Sequence, residues 1–361
     1  MKYISILLLV VLAACSQKPT TAPTSSADTQ IFGEIYHSPL RSRGLDYDAT
    51  LEKIAFGSCA NQDLPQPLWK TISAAQPDLF LFMGDNIYTS HPGQQPMTAQ
   101  YRKLDQIPEY IAIRETVPFL VTWDDHDFGQ KDGGADFSGK DQSRKAFLNY
   151  WPYVKNSIPL EQGGVYHSKM VGPKKKVVQV ILLDTRYFRT PLHEVIDHEG
   201  TYQGYSPSDA PTDTVLGNAQ WEWFEAQLKR PADVRFIVSS IQLIANEHKF
   251  EKWDNFPRER QRFFDLLKKT KAKNVIVLSG DRHMSMIAKQ DIPGYGPLYD
   301  ITASSINRPN KYMTSDSKYL GPVYAKESFG MANIDWKKKV VRVDIHDMDN
   351  KVVNSVNIKL K

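Results

Sequence analysis

Five apolar runs in this sequence stop at short strings of side chains able to bind a metal or move a proton. The endings are Phe56-Gly57-Ser58-Cys59, Gly84-Asp85-Asn86-Ile87-Tyr88, Trp123-Asp124-Asp125-His126-Asp127, Asp184-Thr185-Arg186 and Gly280-Asp281-Arg282-His283. A single Asp after a strand usually caps a helix or closes a turn. Here four of the five endings carry acids and two combine Asp with His, so independent caps explain the set poorly. If the endings converge, so many carboxylates must either raise their pKa values or be neutralised by cations. Cys59 and His283 are borderline-to-soft ligands suited to iron or zinc, whereas Asp125 and Asp281 suit a hard ion such as Ca²⁺ or Mg²⁺. The phenolate of Tyr88 favours ferric iron. Asp85 has two oxygens and could bridge neighbouring ions, an arrangement that serves phosphate ester hydrolysis. Each residue also has a bland alternative. Cys59 would be a small buried hydrophobe, Tyr88 half-buried structure, His283 a hydrogen-bonded core histidine, Asp124 or Asp125 a helix cap, and Arg186 a partner for Asp184. One metal cluster accounts for all of them together.

The elements that must position these groups alternate in kind. Strands are expected over Lys53–Phe56, Leu79–Met83, Phe119–Thr122, Val177–Leu183, Arg235–Ile241 and Asn274–Leu278, with a closing hairpin of Val340–Ile345 and Val352–Ile358. Helices are expected over Pro67–Ala75, Thr98–Arg114, Asp141–Trp151, Asn218–Lys229 and Pro257–Lys269. Strands alternating with helices predict a layered α/β fold, whose ligand crevice lies outside the carboxyl ends of the strands. Because successive strand residues face opposite sides, only one of Asp124 and Asp125 is expected to reach a metal.

The chain has 361 residues, enough for a full core, and a formal net charge of +4 that gives no case for specific nucleic-acid recognition. The clusters Lys174-Lys175-Lys176 and Lys268-Lys269 read as solvated loops and helix ends. The N-terminus is more informative. Met1-Lys2, an apolar run from Ile4 to Leu12, and Ala13-Ala14-Cys15 resemble a bacterial lipoprotein signal, with lipid carried on Cys15. The Ser16 that follows is similar to Gram-negative lipoproteins sent to the outer membrane, so the expected location is the cell envelope, facing the periplasm or the cell surface. Residues 1–15 are then the signal peptide with its lipidated cysteine, 16–30 a flexible tether rich in Thr, Ser and Pro, and 31–361 one domain. With Cys15 so used, Cys59 has no disulfide partner and must be buried, ligated or nucleophilic.

In their order along the chain, Phe56-Gly57-Ser58-Cys59, Met83-Gly84-Asp85-Asn86-Ile87-Tyr88, Thr122-Trp123-Asp124-Asp125-His126-Asp127, Leu183-Asp184-Thr185-Arg186 and Ser279-Gly280-Asp281-Arg282-His283 resemble the alkaline phosphatase D (PhoD-like) family. The resemblance runs from about residue 51 to 307 and takes in Gln220-Trp221-Glu222-Trp223 and Glu251-Lys252-Trp253-Asp254-Asn255-Phe256-Pro257. The short stretch before Leu51 departs from longer members, which carry an extra N-terminal β domain. The resemblance implies the calcineurin-like metallophosphoesterase fold, a layered sandwich of mixed β-sheets flanked by helices. It implies Fe³⁺ held by Cys59, Tyr88 and His283, with Asp85 bridging to Ca²⁺ and Asp125 and Asp281 completing the calcium side; Zn²⁺, Mn²⁺ or Co²⁺ are alternative metals. His126 would contact phosphate and protonate the leaving group, and Arg186 would clamp phosphate oxygens. Gln242 stands where the wider superfamily often has a metal-binding His. The implied activity is hydrolysis of phosphate mono- or diesters by a metal-activated hydroxide. Three other readings compete. One is a phosphodiesterase for a polymeric or lipid diester, marked by a groove with basic walls near Lys174. The second is a non-catalytic envelope lipoprotein stabilised by its metals, and the third a cysteine hydrolase with Cys59 as nucleophile.

Overall fold

The apolar runs form strands, and the computed structural model describes them within residues 34–89 and 96–361. The signal sequence with Cys15 and the tether lie outside the described residues. In chain order the first half contains β1 (Lys53–Gly57), α1 (Leu68–Ala74), β2 (Leu79–Met83), α2 (Met97–Leu104), α3 (Pro108–Thr116), β3 (Phe119–Thr122), α4 (Asp125–Phe128), α5 (Lys140–Tyr150), α6 (Pro152–Lys155), β4 (His167–Val171) and β5 (Val178–Leu182). The second half contains β6 (His193–Ile196), β7 (Tyr202–Ser206), α7 (Gly217–Leu228), β8 (Val234–Val238), α8 (Pro257–Thr270), β9 (Val275–Ser279), β10 (Ser285–Ile292), β11 (Gly296–Ala303), β12 (Tyr319–Tyr324), β13 (Ser328–Asp335), β14 (Val340–Asp347) and β15 (Val352–Lys359). No helix among the described residues is long and apolar enough to cross a membrane.

These strands make two mixed sheets, ordered β15-β14-β13-β1-β2-β3 and β12-β10-β11-β9-β8-β5-β4, with β6-β7 as a separate hairpin. Strands β2, β3, β5, β8 and β9, and β1 beyond Lys53, are buried along their length because each has apolar contacts on both faces. Alternation sorts those contacts. Ile54, Phe56, Leu79, Leu81 and Met83 meet Val180, Leu182, Phe236 and Ile276 between the sheets. Ala55, Phe80, Phe82 and Val121 face outward onto Trp69, Tyr101, Tyr110 and Trp151 of the helices and their flanks. Ile181, Ile237 and Val277 face the other way, onto Trp221, Phe224, Phe263 and Leu267. The result is a sandwich of two mixed sheets with helices on both outer faces.

Three departures from expectation have physical causes. The single helix expected over Thr98–Arg114 is two, because Pro108 supplies no N–H and Ile107 before it is extended at φ −82° and ψ 113°. The strand expected to run to Ile241 ends at Val238, where Ser239 and Ser240 begin the turn toward the site. Strands β4, β6, β7 and β10 to β13 were not expected; β12 (Tyr-Leu-Gly-Pro-Val-Tyr) holds a Gly-Pro pair and is an edge strand, where proline costs no ladder bond.

Strands β1, β2 and β3 are mutually parallel, as are β5, β8, β9 and β11. All seven therefore deliver their following residues to ends of the same polarity. Hydrogen bonds stitch those ends across the two sheets: Thr122 Oγ1 donates to Leu183 O at 2.8 Å and the Ile306 N–H to Ser58 O at 3.1 Å.

Gly330 of β13 lies opposite Phe56 of β1, whose ring occupies the space a β-carbon would need. Gly330→Ala should lower the free energy of unfolding by about 1–3 kcal/mol, the usual cost of overpacking. Urea denaturation measures this, and a variant as stable as wild type would contradict the packing described.

Candidate metal centre

Four of the candidate ligands leave their strands through left-handed backbone: Cys59 at φ 63°, Asp85 at 48°, Asp281 at 65° and His283 at 56°. Side-chain-bearing residues adopt this region at a cost of order 1–3 kcal/mol each, so surrounding bonds must hold them there. The Ala60 N–H donates to Asp85 O at 3.0 Å, the His283 N–H to Ser304 Oγ at 2.8 Å, and the Asn310 N–H to His283 O at 2.8 Å. Gly84 (φ 106°) is required by close approach as well, since a β-carbon there would lie 2.5 Å from Asp124 Cβ. Asp127 fastens the next loop: its carboxylate accepts the N–H groups of Asn86 at 2.6 Å, Ile87 at 3.1 Å and Asp124 at 2.9 Å. Asp124 is the N-cap of α4, and Asp127, three residues on, closes a capping box with it, so Asp125 is free of capping while Asp124 serves the helix start and the site together.

The expected residues meet in two overlapping groups. On one side Cys59 Sγ lies 3.4 Å from Asp85 Oδ2, and Tyr88 Oη lies 3.2 Å from both Asp85 Oδ2 and His283 Nε2. On the other, ligand atoms of Asp124, Asp125 and Asp281 fall within 4.8 Å of one another. Asp85 belongs to both neighbourhoods. Its Oδ2 faces the thiol and phenol, while its Oδ1 accepts the His126 N–H at 3.3 Å, and it groups with Asp125 and His126 within the same 4.8 Å.

Burial and mutual repulsion disturb the charges of the cluster. Burial, then Cys59 and the neighbouring carboxylates, push Asp85 well up. Burial also raises Asp124 despite Arg186, and lifts Asp281 to about 7 against the pull of Arg282. Burial pushes the Cys59 thiol up to about 11 and drives His283 down to about 3, with Arg308 and His126 adding to the latter. Asp125 alone goes below the usual range, because His126, Arg186 and the Asp132 N–H outweigh its burial. Asp124 Oδ2, Asp125 Oδ1 and Asp281 Oδ2 are buried with no hydrogen-bond partner. Orphaned carboxylate oxygens beside a thiol, phenol and imidazole form a donor set that fits metal ions, the hard oxygens on one side and the softer ligands on the other.

Several expectations change here. Asp124 and Asp125 both reach the carboxylate group; strand alternation does not apply, because they follow β3 and open α4. Arg186 is fully buried and offers no open fork to phosphate. Its Nε donates to Asp124 Oδ1 at 2.6 Å and its Nη1 pairs with Glu251 Oε2 at 2.6 Å, while Nη2 also meets Asp124. Arg189 holds Glu251 from the far side at 2.9 Å. Asp184 takes the backbone N–H of Arg186 rather than its guanidinium. The Gln242 amide donates to Thr302 Oγ1 at 2.8 Å. Lys174 lines a recess of about 770 Å³ with Lys229, Arg230 and Lys271, at the amino ends of β5 and β8. Basic walls near Lys174 are therefore remote from the metal ligands. Cys59 is wholly buried, its sulfur contacts Ser58, Ser304 and Asp85, and burial holds its thiol up at about 11, which keeps it protonated and disfavours a nucleophilic role.

Glu251, Asp132, Tyr205 and Arg308 were not foreseen in these roles. The Asp132 N–H donates to Asp125 Oδ2 at 2.9 Å, and Tyr205 Oη donates to Asp132 at 2.6 Å. Arg308 sits half-buried with its guanidinium 4.8 Å from the centre of the Tyr88 ring. Glu251 does lie in a stretch of the family pattern, but no local signal in the sequence links it to Arg186.

The sequence pattern of the PhoD-like phosphatase family matches residues 54–345. Alkaline phosphatase D of Bacillus subtilis (strain 168) is 23% identical over 275 residues, which cover 64% of this chain and 46% of that protein. The chain thus spans about half the length of the curated relative it matches. The solved structure of PhoD superposes with a TM-score of 0.67 at 18% identity, over 86% of this chain and 69% of the other. GAP50, the anchor in the inner membrane complex of Plasmodium, superposes with a TM-score of 0.56 at 12% identity, over 87% and 90%.

Proposed function

The chain belongs to the PhoD-like phosphatase family, and from that premise we propose that it is a metal-dependent phosphoester hydrolase acting on phosphate mono- or diesters. The observation that carries this reading is the position of Asp85 between a thiol–phenol–imidazole group and a carboxylate group. Cys59, Tyr88 and His283 would hold ferric iron, Asp125 and Asp281 with Asp124 would hold calcium, and Asp85 would serve both. Ions held there lower the pKa of bound water and neutralise charge on phosphoryl oxygens.

The protein's own residues do the rest. Arg186 fixes Asp124 in place, and Glu251 with Arg189 fixes Arg186, so this buried chain positions a ligand. The His126 ring lies 4.0 Å, centre to centre, from the Tyr88 ring and supplies the proton the departing alcohol needs. Arg308 reaches the Tyr88 face from the half-exposed side, and its planar donors hold the entering phosphate. In the cell this domain would be lipid-anchored in the envelope through Cys15, at the outer membrane; the support is the Leu12-Ala13-Ala14-Cys15 ending.

Three measurements bear on this reading. Elemental analysis of wild type should find iron and calcium, and Cys59→Ala should lose iron together with hydrolysis of nitrophenyl mono- and diesters; a mutant that keeps both refutes the assignment. Arg308→Ala should raise KM for nitrophenyl phosphate about tenfold, as expected for one lost charge-assisted hydrogen bond. An unchanged KM removes Arg308 from substrate binding. Fatty-acid labelling in cells should mark the wild-type chain and not Cys15→Ala, and equal labelling would discard the anchor.

A further inference from the structure

Next to Asp281 lies a cationic cluster that the proposed reaction leaves unused. Arg282 is only 5% exposed and stacks on Phe250, its Cζ 4.1 Å from the ring centre. Its Nη1 reaches Asp281 Oδ2 at 3.5 Å, the one carboxylate paired with it among the described residues. Its Nε and Nη2 have no hydrogen-bond partner. Those two atoms share one edge of the guanidinium, the edge that binds two oxygens of a carboxylate or phosphate side by side. Arg186 uses the same edge on Asp124, so the fold fills such an edge where it can.

Two further residues of the Phe250 loop join this edge. His248 is 6% exposed, its ring lies 6.2 Å from that of Phe250, and neither of its nitrogens has a partner. Lys252 is 3% exposed and its ammonium makes a hydrogen bond to Phe250 O at 3.2 Å, leaving further donors. Phe250 gathers the three groups: Arg282 stacks on its ring, His248 lies beside that ring, and Lys252 bonds its carbonyl oxygen. Asp254 and Asp316 act on Lys252 from beyond ion-pair distance and are held by their own partners, Arg260 and the N–H groups of Asn246, Glu247 and Lys318. A guanidinium and an ammonium buried beside an imidazole, with an open bidentate edge, are costly unless an anion enters.

We propose that Arg282, His248 and Lys252 form an oxyanion subsite beside the metal centre, which receives a second phosphate or carboxylate carried by the substrate. The proposal rests on the hydrolase reading above and adds a substrate class: esters with a second anionic group on the part that does not react. Arg282 couples the two sites, since its other nitrogen meets Asp281. The half-buried Phe250 and exposed Lys249 border the cluster toward solvent.

The test compares glucose 1-phosphate with glucose 1,6-bisphosphate on metal-loaded wild type, Lys252→Met and His248→Gln, each checked for metal content and circular dichroism. Wild type should favour the bisphosphate in kcat/KM by about tenfold, through KM, and each variant should cut that ratio at least about fivefold, the scale of one charged hydrogen bond. A wild-type ratio near one, or a ratio unmoved in a folded, metal-loaded variant, overturns the subsite. Should one variant not fold, the other and the wild-type ratio still decide. If the variants relieve inhibition by inorganic phosphate but leave the ratio alone, the cluster holds free phosphate and the proposal is wrong. If wild type cleaves neither ester, the hydrolase reading fails on its own. Calorimetry then decides the subsite: tighter binding of the bisphosphate, weakened in both variants, supports it, and equal binding of the two sugars rejects it.

Discussion

Mutual repulsion among buried carboxylates is the constraint around which this molecule is arranged. Asp85, Asp124 and Asp125 stand out of water with the half-buried Asp281 beside them, where each charge is expensive and each neighbour makes the next more so. Protein cations offset only part of this. Arg186 supports Asp124, and Arg282 pairs loosely with Asp281, but three carboxylate oxygens keep no hydrogen-bond partner. Metal ions would resolve the imbalance, and the same imbalance would give those ions their hold on water and phosphate.

Holding such a cluster requires a rigid frame, and the frame is the pair of sheets. Seven strands of common polarity end at one edge, each continuous with an apolar core that fixes its height and register. The backbone then bends through left-handed conformations at Cys59, Asp85, Asp281 and His283, turning side chains toward a common centre. Local strain of this kind persists only where surrounding structure over-determines it. Here the surrounding structure is the Asp127 carboxylate, the Ser304 hydroxyl and the hydrogen bonds between sheet ends.

A fold by itself does not fix a function. GAP50 superposes over most of its length on this chain, yet it is described as an anchor in a membrane complex. What argues for chemistry in the present chain is the ligand constellation, with a histidine and a half-exposed arginine beside it. The ring of Phe250, with Arg282 stacked on it, extends the same edge toward a further anion.

The sequence alone determined which residue types compose the centre and that they follow strands, because an apolar run and the polar residue that ends it are adjacent in the chain. It determined the layered α/β class for the same reason: the two-residue and 3.6-residue periods are local. It misjudged Thr98–Arg114, where Pro108 breaks the helix, and Asp124 against Asp125, where alternation was applied beyond the end of a strand. The partners of Arg186 were beyond it altogether, since Asp124 and Glu251 lie 62 and 65 residues away along the chain. Tertiary structure decided that Arg186 is a buried support, that Asp85 shows its two oxygens to two different neighbourhoods, and that Arg308 and Arg282 border the centre. Those are contacts between distant segments, and only the docking of the two sheets brings such segments within hydrogen-bond reach.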